Sequence, residues 1–191
     1  MSDVYRTFIA LRIHPGNILQ HLLNELQETF STEAIKWVEK ENLHLTLKFL
    51  GDTTVEQLEE IKEILKKTRK HFQPFHFQLK GLGYFKSNGQ PRVLFAGIED
   101  FESLKQLVSD LDESFAKVGF EKEKREFKPH LTLARIKFLK NRKQFYSLVE
   151  KFDGNEIQSV NISEIVYYQS ILKPGGPVYI PLQRFNLIGK K

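Results

Sequence analysis

Apolar residues recur at two spacings along the chain, and each spacing predicts a different secondary structure. Between residues 18 and 30 they stand three or four positions apart, which is typical of the buried face of a helix. The same spacing predicts helices over 55–65, 104–115 and 145–152. Alternating or continuous apolar runs that are bounded by turn residues predict strands. These runs cover residues 5–12, 35–38, 43–50, 75–80, 92–98, 130–138, 162–172 and 178–187.

One tetrapeptide, His-Leu-Thr-Leu, occurs twice, at residues 44–47 and 130–133, and each copy lies in a predicted strand. Residues two apart on a strand point to the same face. Each copy therefore presents an imidazole and a hydroxyl side by side, while its leucines enter the core from the other face. Two such strands, brought face to face, would place two histidines and two threonines around one small anion.

The tetrapeptides belong to a longer internal repeat with an offset of 86 residues, in which strand, helix, motif strand and helix recur in the same order. This order predicts a single domain over 1–191, made of two lobes related by a pseudo-twofold axis. We expect an α+β fold in which antiparallel sheets line a central cleft and helices pack outside. The offset pairs Ala10 with Ala96, Ile18 with Leu104, Leu22 with Val108, His44 with His130, and Thr46 with Thr132.

Composition narrows the classes of function. The chain is 40 % hydrophobic and 28 % charged, as in an ordinary globular protein, and contains no cysteine, which excludes disulfides and thiolate chemistry. Its net charge of +5 is compatible with an anionic partner such as RNA, although the basic residues are interspersed with glutamates and also fit a solvated surface. There is no long apolar run and no signal-peptide pattern at the start, so we expect a cytoplasmic protein that does not bind a membrane.

Two histidines facing a phosphate suit general acid–base cleavage of a phosphodiester. The pKa of histidine is near neutrality, so one imidazole can hold a proton while the other accepts one. The threonine hydroxyls would donate to the non-bridging phosphate oxygens. No metal-binding motif, ATP-binding loop or dinucleotide fingerprint is present, so we expect neither a metal nor a cofactor.

A structural interpretation competes with this one. A single His-x-Thr is more often a packed or surface element than a catalytic one, and we interpret His14, His21, His71 and His76 in that way. Two identical tetrapeptides at matching points of a repeat are harder to explain by packing, because valine or isoleucine would serve at each polar position.

The motifs resemble those of the two-histidine phosphoesterase superfamily, and within it the RNA 2',3'-cyclic phosphodiesterase family, historically named 2'-5' RNA ligase. The matching segments are His44-Leu-Thr-Leu-Lys-Phe-Leu-Gly51 and Pro129-His-Leu-Thr-Leu-Ala-Arg135. Three further segments support them, and together the resemblance extends over essentially the whole chain. These segments are Thr7-Phe-Ile-Ala10, Arg92-Val-Leu-Phe-Ala-Gly97, and Ser170-Ile-Leu-Lys-Pro-Gly-Gly-Pro177 with Tyr179.

The resemblance implies hydrolysis of a 2',3'-cyclic phosphate at an RNA end to a 2'-phosphate. It implies that His44 donates a proton to the leaving oxygen and that His130 accepts one from water. Thr46 and Thr132 match phosphate-binding threonines, and Arg135 matches an arginine near the phosphate. In a regular strand Arg135 would lie on the face opposite His130, so its role requires a strand end or a bulge after Ala134. Any ligase activity would be the same chemistry in reverse.

The two copies differ where they end. Lys48 stands opposite Ala134 in the repeat, and Phe49 opposite Arg135. Lys48 is expected on the face of His44, where it either attracts the phosphate or is solvated at the strand end. Phe49 is interpreted as a core residue in preference to a surface for base stacking. Both are candidate substrate contacts.

Two alternatives stay open. The first is a nucleotide- or RNA-binding module that keeps the fold without turnover. The second is a cyclic phosphodiesterase for small nucleotides or 2'-5' linked oligonucleotides, because loops such as 84–91 and 172–178 would set the substrate size. The chain is expected to be a monomer.

Overall fold

The computed structural model describes residues 4–174 and 176–189, so residues 1–3, 175 and 190–191 of the predicted domain lie outside the described part, Gly175 of the predicted loop 172–178 among them. The described residues form nine strands and four α-helices. The strands are β1 (Val4–Arg12), β2 (Ala34–Trp37), β3 (His44–Thr54), β4 (Phe75–Ser87), β5 (Gln90–Glu99), β6 (His130–Phe138), β7 (Glu156–Ile162), β8 (Glu164–Lys173) and β9 (Gly176–Asn186). The helices are α1 (Asn17–Thr29), α2 (Val55–Thr68), α3 (Glu102–Ala116) and α4 (Arg142–Lys151).

The strands form two sheets in which every neighbouring pair is antiparallel. The first sheet has the order β3-β1-β8-β9, and the second has the order β2-β6-β5-β4-β7. The motif strand β3 is an edge of the first sheet, whereas β6 is covered at its outer side by β2. The expectation of an α+β fold with two antiparallel sheets is therefore confirmed.

The helices cover the outer faces of the sheets. Helices α2 and α3 lie against β3, and α1 and α4 lie against β7 and β4 of the other sheet. One continuous core of buried apolar residues runs behind both sheets. Helix α2 begins with a capping box, in which the Thr54 side chain accepts from the Gln57 backbone N–H and the Gln57 side chain accepts from the Thr54 backbone N–H.

The repeat is present, but the predicted offset of 86 holds only for the motif strands. Arg12 stands opposite His44, whereas Gly97 stands opposite His130, so β1 matches β5 with an offset of 85. The buried face of α1 likewise matches that of α3 through Leu19 and Leu104, while Ile18 is 65 % exposed. The pairing of Ile18 with Leu104 was therefore wrong by one residue. The separation between the matched helix leucine and the motif histidine is therefore one residue longer in the second half, 26 positions from Leu104 to His130 against 25 from Leu19 to His44.

Two strands extend well beyond their predicted bounds through glycines, and one strand was not predicted. Strand β3 continues past Gly51, whose φ of +74° lets the chain bulge and pair again, and β4 continues through Gly81 in the same way. Strand β7 was missed because it is a sheet edge with many polar residues turned outwards. None of the helices in the described part is long and apolar enough to cross a bilayer.

Candidate active site

Both motif strands carry a bulge at the same position. Ala10 pairs with Thr46 but Ile9 pairs with Lys48, so Leu47 is an extra residue on β3. In β6 the pairing of Phe95 with Thr132 and of Leu94 with Ala134 makes Leu133 the extra residue. Such an insertion shifts the alternation of side chains by one position.

The bulge moves the residue after it to the face of the motif histidine. Leu131, Leu133 and Ala134 are buried, whereas His130 and Thr132 are half-buried and Arg135 is exposed. Arg135 therefore shares a face with His130, as its role requires. The expected bulge was placed after Ala134, whereas the irregular pairing with β5 falls before Ala134, at Leu133.

Each histidine is held by the same local contact. The Nδ1 atom of His44 lies 2.6 Å from the backbone oxygen of Asn42, and Nδ1 of His130 lies 2.8 Å from that of Lys128. A carbonyl oxygen only accepts, so each Nδ1 carries the proton and donates it. Nε2 is consequently the nitrogen of each ring that is left to accept or deliver a proton in the cleft.

Aromatic rings fix the orientation of the His44 imidazole. Its ring centre lies 5.2 Å from that of Phe8 and 5.0 Å from that of Tyr179, and the contact with Tyr179 is edge to face. Burial among these rings lowers the pKa of His44 below its usual value, although the hydrogen bond to Asn42 acts in the opposite direction. The positive charge of Arg135 lowers it further. In the free protein, His44 therefore favours the neutral form.

The second histidine has a matching aromatic support from the other sheet. The ring of His130 lies 4.8 Å from Phe85, edge to face, and 5.3 Å from Phe95. Phe95 stands opposite Thr132 in the neighbouring strand, so it supports the whole motif from the side. The two imidazoles are thus each held by a backbone carbonyl and by a pair of rings.

The two motifs line one cavity of about 1900 Å³, together with Thr46, Thr132 and Arg135. Arg135 belongs to the second sheet, yet its charge lowers the pKa of both His44 and Tyr179 in the first sheet. For Tyr179 this charge opposes the larger effect of burial, which raises the pKa. Because residues of both motif strands line this one cavity, the two strands face each other across the cleft. Such a cleft, with two imidazoles, two hydroxyls and a guanidinium, is typical of a phosphoesterase site.

The structure places Lys48 elsewhere than expected. Because the bulge at Leu47 precedes it, its side chain turns away from the face of His44 and is only 7 % exposed. Its ammonium lies 2.5 Å from a carboxylate oxygen of Asp112 on α3 and also donates to the backbone oxygen of Glu121 at 2.9 Å. The expectation that Lys48 shares a face with His44 was wrong, since it assumed a regular strand. Lys48 still lines the cavity, and its contact with a substrate stays a prediction.

Phe49 is also not in the core. Its side chain is 68 % exposed and lines the cavity, with its ring centre 5.9 Å from that of Phe8. The bulge gives it the position in the first lobe that Arg135 has in the second. The preference for a core role was therefore wrong for the same geometric reason that brings Arg135 to the site.

Asp112 and Phe85 are site-associated residues that the sequence did not reveal. Asp112 lies on the amphipathic helix α3, where nothing distinguishes it from the surrounding surface carboxylates. Phe85 was assigned to a loop but belongs to a long strand that continues through Gly81 and Gly83. Within residues 4–174 and 176–189, no group of three or more histidine and carboxylate side chains is arranged to hold a metal ion.

Comparison with known proteins identifies the family of the chain. The family model described as "LigT like Phosphoesterase" matches residues 13–95 and 98–179, two segments that each contain one copy of the His-Leu-Thr-Leu motif. The chain belongs to this family of phosphoesterases.

Relatives and solved structures of the family match over nearly the whole chain. An RNA 2',3'-cyclic phosphodiesterase of Methanothermobacter thermautotrophicus is 35% identical over 95% of this chain and 98% of its own length. One of Methanocaldococcus jannaschii is 37% identical over 91% of this chain and 96% of its own. The crystal structure of E. coli LigT complexed with 3'-AMP superposes with a TM-score of 0.76 at 26% identity, covering 97% of this chain and 99% of that one.

Proposed function

We propose that this chain is an RNA 2',3'-cyclic phosphodiesterase, a single two-lobed domain over 1–191 that hydrolyses a 2',3'-cyclic phosphate end to a 2'-phosphate. The observation that carries the proposal is the pair of imidazoles, each with Nδ1 fixed by a backbone carbonyl, that line one cavity. The names of the full-length relatives support the choice of substrate. The 3'-AMP complex of the E. coli protein supports a nucleotide in the cleft.

The proposed step is an in-line displacement at phosphorus with two proton transfers. Nε2 of His130 takes a proton from a water molecule as the water oxygen forms a bond to phosphorus. The bond from phosphorus to the 3' oxygen breaks on the opposite side, and Nε2 of His44 gives that oxygen its proton. The product carries a 2'-phosphate and a 3'-hydroxyl, and a proton passes from His130 to His44 through solvent before the next turnover.

Thr46, Thr132 and Arg135 would hold the phosphate during this step. Two hydroxyls donate to its non-bridging oxygens, and the guanidinium offsets charge that develops in the transition state. A bound phosphate is negatively charged, so it raises the pKa of an imidazole beside it. This effect opposes the burial and the Arg135 charge that lower the pKa of His44 in the free protein, and so allows His44 to carry a proton when substrate is bound.

The first experiment is incubation of the purified protein, in EDTA, with a short RNA that ends in a 2',3'-cyclic phosphate. We expect a 2'-phosphate product from the parent protein and a loss of at least 100-fold in rate for His44→Ala and for His130→Ala. His76→Ala is a matched control, because His76 is exposed on β4 and does not line the cavity. Full activity of either motif variant would refute the acid–base pair, and a requirement for added metal would refute the metal-free mechanism.

The roles of the two histidines need a second substrate, because burial alone favours a neutral His44 and would suit a base. A nucleoside phosphodiester with a nitrophenolate leaving group needs no acid to protonate that group. If His44 is the acid, His44→Ala hydrolyses this ester nearly as fast as the parent protein, while His130→Ala does not. The reverse pattern would exchange the two roles.

The alternatives predict other results in the same assays. A binding module would bind nucleoside monophosphates without turnover, and an enzyme for small nucleotides or 2'-5' linked oligonucleotides would turn over those compounds in preference to RNA ends. Cytoplasmic location and a monomeric state remain predictions from the sequence. Sedimentation equilibrium of the purified chain tests the second of them.

A further inference from the structure

We propose that the cleft continues into a binding groove for the RNA strand on the 5' side of the cyclic phosphate. We call it the α3 groove, and define it by Lys105 and Ser109 of α3 together with Lys122, Lys124, Arg125 and Lys128 of the segment that leads to His130. All six residues line the same cavity as the two histidines. The proposal rests on the proposed function, because it assigns the part of the substrate that does not react.

The size of the cavity is the first argument for the groove. Its volume of about 1900 Å³ exceeds the 300–1,000 Å³ that is usual for a pocket that encloses one small ligand. Helix α3 forms one wall of this volume, because its lining residues Lys105, Ser109 and Asp112 stand three or four positions apart and so share one face. Room therefore remains for several nucleotides beyond the one that reacts.

The distribution of charge is the second argument. Nine lysines and arginines but only five acidic residues line the cavity, an excess of four positive charges, whereas the whole chain has a net charge of +5. Most of the chain's positive excess thus lies along this one surface. Within the described part of the chain, Lys105, Arg125 and Lys128 have no carboxylate within ion-pair distance. Their charge remains available to a polyanion.

An exposed aromatic ring is the third argument. Phe49 is 68 % exposed on the wall of the cavity, at the strand position next to the lysine that contacts α3. A large apolar ring that is turned to solvent inside a basic groove is typical of sites where single-stranded RNA bases stack. The ring of Phe8 covers only one side of it, at 5.9 Å between centres.

A buried anchor holds the groove in place. Asp112 accepts from the ammonium of Lys48 and from the backbone N–H of Glu123 at 3.1 Å, so the segment that carries Lys122 and Lys124 is tied to both α3 and β3. The same segment ends at Lys128, whose carbonyl orients His130. RNA that binds along this segment would therefore enter the site from the side of the second histidine.

The test compares a 2',3'-cyclic mononucleotide with RNA oligonucleotides of two, four and eight residues that carry the same cyclic end. We expect kcat/KM in 50 mM salt to rise about 20-fold or more from one to four nucleotides. If three phosphates are contacted, this gain falls about 18-fold between 50 and 200 mM salt, since each contact contributes a slope of about 0.7. We expect the triple variant K122Q/K124Q/R125Q to lose most of the gain and most of the salt dependence, and Phe49→Leu to weaken oligonucleotide binding about fivefold or more.

The control variant is K66Q/K67Q/K70Q, which removes the same charge from exposed lysines in and just after α2, none of which lines the cavity. Equal loss in both triple variants would attribute the effect to net charge and overturn the groove. A kcat/KM that does not depend on length would also overturn it, while leaving the proposed function intact.

Binding is measured separately, by fluorescence anisotropy with RNA that ends in a 2'-phosphate. If nothing is hydrolysed, the proposed function fails, and length-dependent binding that requires Lys122, Lys124 and Arg125 still supports the groove. Absence of length-dependent binding would then refute both proposals.

Discussion

The ion pair between Lys48 and Asp112 gives a prediction in which the two partners are not equivalent. The side chain of Lys48 is 7 % exposed and that of Asp112 is 20 % exposed, so the lysine is the more deeply buried partner. Removal of one partner from a fully buried pair costs about 3–5 kcal/mol, and an exposed pair is worth about 0.2–1 kcal/mol. Asp112→Ala strands the buried ammonium with only the Glu121 carbonyl, and we expect it to lower the free energy of unfolding by about 3 kcal/mol.

The opposite substitution should be much milder. Lys48→Met keeps the apolar stem of the side chain and removes the charge, and Asp112 retains the Glu123 N–H and access to water. We expect Lys48→Met to lower the free energy of unfolding by about 1 kcal/mol. We also expect the double variant to be more stable than Asp112→Ala alone. The coupling energy between the two sites would then be about 2 kcal/mol.

Urea unfolding of the four proteins at pH 7, followed by circular dichroism and tryptophan fluorescence, measures these values. Lys66→Met and Glu63→Ala form a matched control, because that pair is exposed on α2 and should show a coupling below about 0.5 kcal/mol. Equal losses for the two Lys48–Asp112 single variants, or a coupling no larger than that of the control pair, would show that the buried ammonium does not need its partner.

Two further predictions concern His44 and Gly97, the glycine that stands opposite His130. Burial and the charge of Arg135 lower the pKa of His44 below the 6.5 of an unfolded chain, so the unfolded state binds the proton more readily and stability should fall as the pH drops below 6.5. Urea unfolding at several pH values should show a shallower fall for His44→Gln, and equal slopes would contradict this assignment. Gly97→Ala would place a Cβ atom 2.6 Å from the backbone oxygen of Lys80, so we expect a loss of about 2 kcal/mol in thermal unfolding. Gly16→Ala meets only a side chain at 3.4 Å and should change stability little; a similar loss for both would refute the steric argument.

The local pattern of apolar and polar residues was sufficient to predict most of the helices and strands and the pair of histidines. The positions of the four helices follow from apolar residues at helical spacing, because a helix must bury one stripe of its surface. The motif copies follow from alternation on a strand, which turns His44 and Thr46 to one face without reference to any other part of the chain. The repeat of the tetrapeptide, and with it the two-lobed α+β fold, is likewise visible in the order of residues alone.

The faces on which the side chains after each motif lie could not be predicted from this pattern. In a regular strand Lys48 would lie on the face of His44 and Phe49 on the opposite face, but the bulge at Leu47 exchanges the faces of these two side chains. The bulge at Leu133 brings Arg135 to the site in the same way. A bulge exists only through pairing with a neighbouring strand, so a single strand's sequence does not reveal where the extra residue falls.

Pairing and packing between distant segments decided the remaining features. Strand pairing sets the repeat offset of β1 and β5 at 85 residues, and the burial of Leu19 and Leu104 sets the same offset for α1 and α3. The amino-acid types alone match as well at an offset of 86. The partner of Lys48 lies 64 residues away on α3. The chain by itself thus determined which residue types carry the chemistry, through periodicities of two and 3.6 residues. The tertiary structure decided which of their neighbours face the cleft, because that depends on strand register and on side chains that meet only after folding.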